Sequence, residues 1–287
     1  MFAGKGARET HYPEVAFGGF SDVDGRVAFF ARVQALLEPA FVVVDAGCGR
    51  GVHAEDPVVF RRDLQCLRGK CKRVIGMDVR RPCRENPLID EFRLIDGDRW
   101  PLDDESVDLC TSVNVLEHVE HPQAFFAECT RVLKTNGLLC LATPNALGYQ
   151  AVAARIIPNR WHASVLGMLG SRAEPADVFP TLYRCNTVWK LRSMMRRHGF
   201  QACVYTYAGE PSYLRFFRIA YSFGVLFHRF APRVLMPVLF AFGRKLPPMT
   251  AGVGERDRAP LARDQPETLG GGQAPKIGDR GQSALTD

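Results

Sequence analysis

The stretch that most restricts this chain is Phe41-Val42-Val43-Val44, running directly into Asp45-Ala46-Gly47-Cys48-Gly49-Arg50-Gly51. Three successive β-branched residues crowd χ1 in a helix and suit a strand buried on both faces. The glycines at 47, 49 and 51 let the backbone turn sharply and pass close to a ligand where a Cβ would clash. A buried strand emptying into a glycine loop is the opening of a βα unit.

The pattern then recurs. Arg73 to Met77 reads as a strand ending at Asp78, Phe92 to Ile95 as one ending at Asp96, and Val107 to Val113 as one ending at Asn114. Leu138 to Ala142 reads as a fifth, ending at Thr143-Pro144-Asn145. Helical segments fall between and before them. One is capped by Asp22 or Asp24 and runs to about Leu37. One starts with Asp56 as N-cap and Pro57 at the first turn and stops at Gly69. One runs from Pro122 to Leu133 and stops at Asn136-Gly137. Such alternation predicts an α/β fold, a doubly wound and mostly parallel sheet. Ligands of these sheets bind beyond the carboxyl ends of the strands, so Asp45, Asp78, Asp96 and Asn114 are expected to converge on one crevice.

Beyond Asn145 the pattern is looser. Gly148 to Asp177 reads as an insertion, Asn186 as the cap of a helix from Thr187 to His198, and Ala202 to Tyr207 as a strand. Tyr213 to Phe230 reads as an amphipathic helix and Leu239 to Lys245 as a last strand. From Thr250 the chain is rich in Gly, Pro and charge and has no aromatics, which predicts a disordered tail. The expected organisation is an N-terminal cap segment over 1–40 and the α/β domain over 41–247. Cap insertions fall near 146–185 and 211–235, and the tail covers 248–287.

Several function classes fall away. The loop reads G-x-G-x-G, with Val52 where a dinucleotide fingerprint places its third glycine, which argues against a nicotinamide oxidoreductase. The nine cysteines are scattered without a CxxC pair, and His53, Cys66, Cys71 and Cys83 match no zinc spacing, so no metal is expected. The net charge of +6 permits an anionic partner without requiring one. Arg192, Arg196 and Arg197 read as the solvated face of a helix, and no nucleic-acid partner is expected. No leader-like segment or membrane-length apolar run occurs, which predicts a cytoplasmic protein.

The stretch from Val42 to Asn145 resembles the class I S-adenosylmethionine-dependent methyltransferases of the ubiquinone/menaquinone-biosynthesis type, methyltransferase type 11. The resemblance is carried in order by VVVDAGCGRG, VIGMDV, IDGDRWPLDDESVDL, NVLEHVEHP and FFAECTRVLKTNGLLCLATPN. The flanks HYPEVAFGGFSDVDGRV, GYQAVAARIIPNRWHA and DVFPTLYRCNT resemble a bacterial subgroup often encoded beside glycan-assembly enzymes. The resemblance implies a Rossmann-like fold, S-adenosylmethionine as cofactor, and methyl transfer to a small-molecule, glycan or lipid-linked acceptor. A catalytically inactive S-adenosylmethionine-binding module is the alternative. It assigns Asp45, Gly47 and Gly49, with Cys48 in the same loop, to the methionine moiety. It assigns Asp78 to the ribose, Asp96 and Gly97 to the adenine, and Asn114 to the floor near the sulfonium.

This chain also departs from the pattern. The gap from Asp45 to Asp78 is long, and Pro57 delays the helix after the glycine loop. Lys134-Thr135-Asn136-Gly137 stands for K-P-G-G, where Asn136 can still take the left-handed conformation. Some relatives carry E-x-x-E-H after the fourth strand, which supplies metal-binding oxygens and a nitrogen; here the first carboxylate is the amide of Asn114, so metal-independent transfer is expected. Glu117, His118 and His121 are the polar groups expected beside the methyl. His118 acts there as general base, or Glu117 and His118 only fix the loop. In the helix at 213–230, Arg215, Arg218, Ser222 and Arg229 mark a polar face against Leu214, Phe216, Phe217, Ile219, Ala220, Phe223, Leu226, Phe227 and Phe230. That suits peripheral contact with a membrane or a lipid-linked acceptor, or an ordinary core helix.

Overall fold

A computed structural model of the protein describes residues 6–149, 151–152, 179–214 and 217–248, with the Tyr213 side chain excluded. These belong to a compact unit ending at Pro248; a second unit, 249–287, lies outside the described residues, as do most of the expected insertion, Arg215, Phe216 and the expected tail.

The strands are β1 (Val42–Ala46), β2 (Arg73–Asp78), β3 (Glu91–Leu94), β4 (Val107–Val113), β5 (Leu133–Pro144), β6 (Phe200–Tyr207) and β7 (Val238–Lys245). They form one sheet of order β3-β2-β1-β4-β5-β7-β6. β7 is antiparallel to both of its neighbours and the other pairings are parallel. This is a doubly wound, mostly parallel, Rossmann-like sheet, as expected. The strand order reverses between β1 and β4, and the carboxyl ends of β1 to β5 therefore open a crevice at that switch point.

The described helices are α1 (Ala7–His11), α2 (Gly25–Leu36), α3 (Val59–Gln65), α4 (Pro122–Val132), α5 (Val188–Arg197) and α6 (Arg218–Phe230). Alternation along β1 divides the core. Val43 packs with Phe29, Phe30 and Val33 of α2 and with Phe240, while Val44 faces a second cluster holding Phe126 and Met195 from α4 and α5. Each such side chain, fully buried, contributes about 1.5–3 kcal/mol.

Asp24 caps α2, its Oδ1 accepting from Arg26 N at 2.9 Å and Val27 N at 3.1 Å, as one of the two expected caps. Asp56 does not cap a helix. Its carboxylate binds the Arg61 guanidinium at 2.6 and 2.7 Å and its Oδ1 accepts from Val58 N, so α3 starts only at Val59 and stops at Gln65, short of Gly69. A short 3₁₀ turn over Val52–Glu55 fills the delay after the glycine loop. Asn136 has φ 68°, the left-handed conformation expected of it, but inside a strand that already begins at Leu133. Asn186 is not the cap of α5. Thr187 is, accepting from Lys190 N, because the Asn186 amide turns inward and donates to Thr143 Oγ1 at 2.7 Å. Ser212–Leu214 forms a separate 3₁₀ turn, and α6 begins at Arg218 instead of Tyr213.

Candidate functional site

The glycine loop is pinned from beneath. Gly47 N and Cys48 N both donate to Met77 O, at 2.7 and 3.0 Å. Asn86 Nδ2 donates to Cys48 O at 2.9 Å and Gly49 O at 3.2 Å. The three glycines do different work. At Gly47, with φ 79°, a Cβ would lie 2.2 Å from Val115 Cγ2, and at Gly51 it would lie 2.2 Å from Asn86 Oδ1. Those two glycines make room for the protein itself. Gly49 has φ 56° and nothing within 4 Å of where a Cβ would stand. Its space opens outward, where a ligand would lie. Asn86 carries no motif in the sequence; only the contact reveals it.

Two carboxylates flank this loop at the ends of adjacent strands. Burial, and then the nearby Asp78, push the Asp45 carboxyl up to about 7. Asp45 has no ion-pair partner among the described residues. Asp78 accepts from Gly49 N at 3.1 Å and Arg80 N at 3.0 Å, and Arg80 Nε lies 3.6 Å from its Oδ1. Carboxylate oxygens offer about four lone-pair directions, so acceptor capacity remains. Burial pushes the Cys48 thiol well up, which keeps it protonated and inert as a nucleophile.

Asp96 and Gly97 follow β3 and are exposed, with Gly97 at φ 110° and open space above it. Asn114 follows β4 in the left-handed conformation, φ 56°, its N–H held by Ala142 O at 2.8 Å. Asp45, Asp78, Asp96 and Asn114 thus stand at or just beyond the carboxyl ends of β1, β2, β3 and β4.

Glu117 is buried and accepts from Thr143 Oγ1 at 2.8 Å; burial raises its carboxyl. Its backbone oxygen accepts from Leu182 N at 2.6 Å and Tyr183 N at 3.1 Å. His118 Nδ1 donates to Pro180 O at 3.0 Å, and its Nε2 stands 3.8 Å from Glu117 Oε1. Both residues bind the loop after β4 to the segment at 179–183. His121 sits at the start of α4 and makes no side-chain cap. Among the described residues, no group of three or more His, Cys, Asp or Glu is placed to hold a metal.

Beside Asn114 a cleft of about 480 Å³ opens on the α2 side of the sheet. Phe29, Phe30, Phe240 and Val238 supply its apolar wall, and Arg26, His53 and Asn114 are among its polar groups. Both acids in its lining, Asp24 and Glu210, are paired. Arg61 binds Asp24 at 2.7 Å as well as Asp56. Glu210 accepts from the Arg8 guanidinium, from Ser21 Oγ at 3.1 Å and from Tyr221 Oη at 2.9 Å. No motif marks His53, whose spacing to Cys66, Cys71 and Cys83 fits no metal; the fold alone brings it here.

With this geometry in place, residues 44–141 match the family model described as a methyltransferase domain. A chain of Mycobacterium tuberculosis (strain CDC 1551 / Oshkosh) named "Probable S-adenosylmethionine-dependent methyltransferase" is 32% identical over 134 residues, 45% of this chain and 47% of that protein. The malonyl-[acyl-carrier protein] O-methyltransferase of Yersinia pestis is 33% identical over 107 residues, 36% of each chain. The aligned parts span less than half the length of these relatives. A chain in a complex of the Haloferax volcanii Trm112 methyltransferase activator superposes with TM-score 0.50 at 19% identity, covering 77% of this chain and 90% of that one. The matched stretch runs from β1 into β5, and the superposition shows a shared fold.

Proposed function

We propose that this protein transfers a methyl group from S-adenosylmethionine to an acceptor held in the cleft beside Asn114. The observation that carries this is the pair Asp45 and Asp78, two acids at adjacent strand ends beside a glycine whose outward space is open. A ligand bearing an ammonium group and a ribose diol matches such a pair. Asp45 holds the cationic methionine moiety, with Gly47, Cys48 and Gly49 curving around it. Asp78 accepts from the ribose hydroxyls, Asp96 and Gly97 meet the adenine, and Asn114 stands between the cofactor edge and the cleft.

The cofactor, when bound, supplies a methyl made electrophilic by its sulfonium. The chain's work is to hold a nucleophile in line and to exclude water. Phe29, Phe30 and Phe240 do the second. Glu117 and His118, tied to Thr143 and Pro180, keep the loop after β4 in place.

The acceptor is read as a glycan or lipid-linked intermediate, following the flank resemblance to the ubiquinone-type, glycan-associated subgroup. In α6, Tyr221 and Gly224 are buried while Ile219, Phe223, Leu226 and Phe230 are exposed beside the exposed Arg218 and Arg229. No described helix is long and apolar enough to cross a membrane, so contact with lipid would be peripheral. Transfer of labelled methyl from S-adenosylmethionine into fractionated bacterial extracts, run with wild type and Asp78→Ala, tests the reading. Labelling of a lipid-phase fraction by wild type alone is the expected result. Tight cofactor binding with no transfer to any fraction would leave a cofactor-binding module instead.

A further inference from the structure

We propose that His53 is the acceptor-binding residue of the cleft, receiving a hydrogen bond from a hydroxyl group on an apolar or aromatic acceptor, so that the nucleophile is an oxygen. This rests on the methyltransferase reading and names the substrate class for it.

The cleft is greasy on one side and charged on the other, but its charges are mostly consumed. Asp24 and Asp56 are bound by Arg61, Arg26 Nη1 stands 3.7 Å from Asp56, and Glu210 is bound by Arg8, Ser21 and Tyr221. His53 differs. Its Nδ1 is buried and has no hydrogen-bond partner among the described residues. Burial, with Arg26 and Arg61 nearby, lowers its imidazolium to about 4, against a smaller opposing pull from Asp56. The ring is therefore neutral at physiological pH, and with its proton on Nε2 the unpaired Nδ1 is an acceptor.

A neutral hydroxyl answers that acceptor. A protonated amine would meet Arg26 and Arg61, and a carbon nucleophile brings no donor hydrogen. The balance closes with a weak base. The hydroxyl oxygen forms the new C–O bond as the methyl–sulfur bond breaks, its electron pair staying on sulfur. The oxygen is then an oxonium, a strong acid, and its proton leaves through His53 Nδ1 to water. An imidazole of low basicity suffices for that step.

The probes are 2-naphthol, its isostere 2-methylnaphthalene, and cationic naphthalen-2-ylmethanamine. Each is titrated into the full chain holding S-adenosylhomocysteine, with the imidazole nitrogens of ¹⁵N-histidine-labelled protein as readout. The expected result is that 2-naphthol binds about fivefold tighter than 2-methylnaphthalene, one neutral hydrogen bond. It should move the His53 Nδ1 resonance, and the amine should bind weakest. His53→Phe should abolish the preference while leaving S-adenosylhomocysteine affinity unchanged, and His53→Gln should restore part of it. Equal affinity for the two neutral probes, an unmoved Nδ1 resonance, or a preference surviving in His53→Phe would overturn the proposal; tighter binding of the amine would overturn the oxygen. If His53→Phe does not fold, the wild-type resonance decides. Failure to bind S-adenosylhomocysteine at all is read separately and counts against the methyltransferase reading.

Discussion

Acids on the two sides of Asn114 are treated in opposite ways. On the α2 side, Asp24, Asp56 and Glu210 each meet an arginine at hydrogen-bond distance. On the glycine-loop side, Asp45 has no ion-pair partner among the described residues, and its neighbour Asp78 meets Arg80 only at 3.6 Å. The first set holds chain segments together, since Glu210 alone ties α1, Ser21 and α6. The buried, ionised Asp45 costs stability until something positive arrives. A charge left open at a strand end is a better guide to a ligand than one already answered.

That contrast can be broken most forcefully at Glu210. Glu210→Leu strands the Arg8 guanidinium and removes the acceptor of Tyr221 and Ser21. Urea unfolding should show a loss of about 2–4 kcal/mol, while S-adenosylhomocysteine affinity of the folded fraction stays near wild type. A stable variant with lost affinity would reverse the roles of the two sides.

Asp78→Ala should do the converse. Loss of charge-assisted bonds to a ribose diol costs roughly 1.5–3 kcal/mol in binding. Calorimetry should therefore show a fall of about ten- to a hundredfold in cofactor affinity. Unchanged binding by a folded variant removes the ribose assignment.

Asp45 sharpens the comparison through pH. Its folded carboxyl titrates at about 7 against an ordinary 3.8, so the folded chain holds this proton more tightly than the unfolded chain. Stability contributed by the neutral form is present at low pH and falls as pH rises from about 4 to about 7. Asp45→Asn should therefore gain on the order of 1–3 kcal/mol at pH 8 and almost nothing near pH 4. Cofactor binding runs the other way. A cationic ligand prefers the ionised acid, so wild-type affinity should rise between pH 6 and 8, by at most about tenfold per pH unit. Buffers of different ionisation enthalpy should report proton release on binding at pH 6. A flat profile would mean that Asp45 does not face the ligand.

The smallest effect separates two glycines of one loop. Gly49→Ala meets open space and pays only for its left-handed φ, about 1 kcal/mol by thermal unfolding, yet should weaken cofactor binding. Gly47→Ala, 2.2 Å from Val115, should lose more stability than Gly49→Ala. Equal losses at both would argue that Gly49 too serves only the turn.

The glycine-loop side was legible in the sequence because its parts are local. Val42 to Gly51 spells strand, turn and acid within ten residues, and each later strand ends in its own polar residue. Helix boundaries were less so. Asp56 looked like a cap until Arg61 claimed it, and Asn186 looked like one until Thr143 did. In both cases another side chain engages the group that would otherwise cap the helix. The cleft was not legible at all. His53, Phe240 and Glu210 come from three distant parts of the chain, and no spacing rule connects them.

The pairing of Arg8 with Glu210 spans 202 residues. The last strand, β7, is wedged between β5 and β6 instead of being added at an edge. Contacts so remote in sequence form slowly, because a large loop must close before any bond rewards it. As the chain leaves the ribosome, β1, β2 and β4 are available long before β7 and Glu210. The glycine loop can therefore take shape on a nascent chain, while the cleft must wait for nearly all of the described fold. An intermediate with S-adenosylhomocysteine bound and the cleft still unformed is the species to look for in pulse-labelled hydrogen exchange.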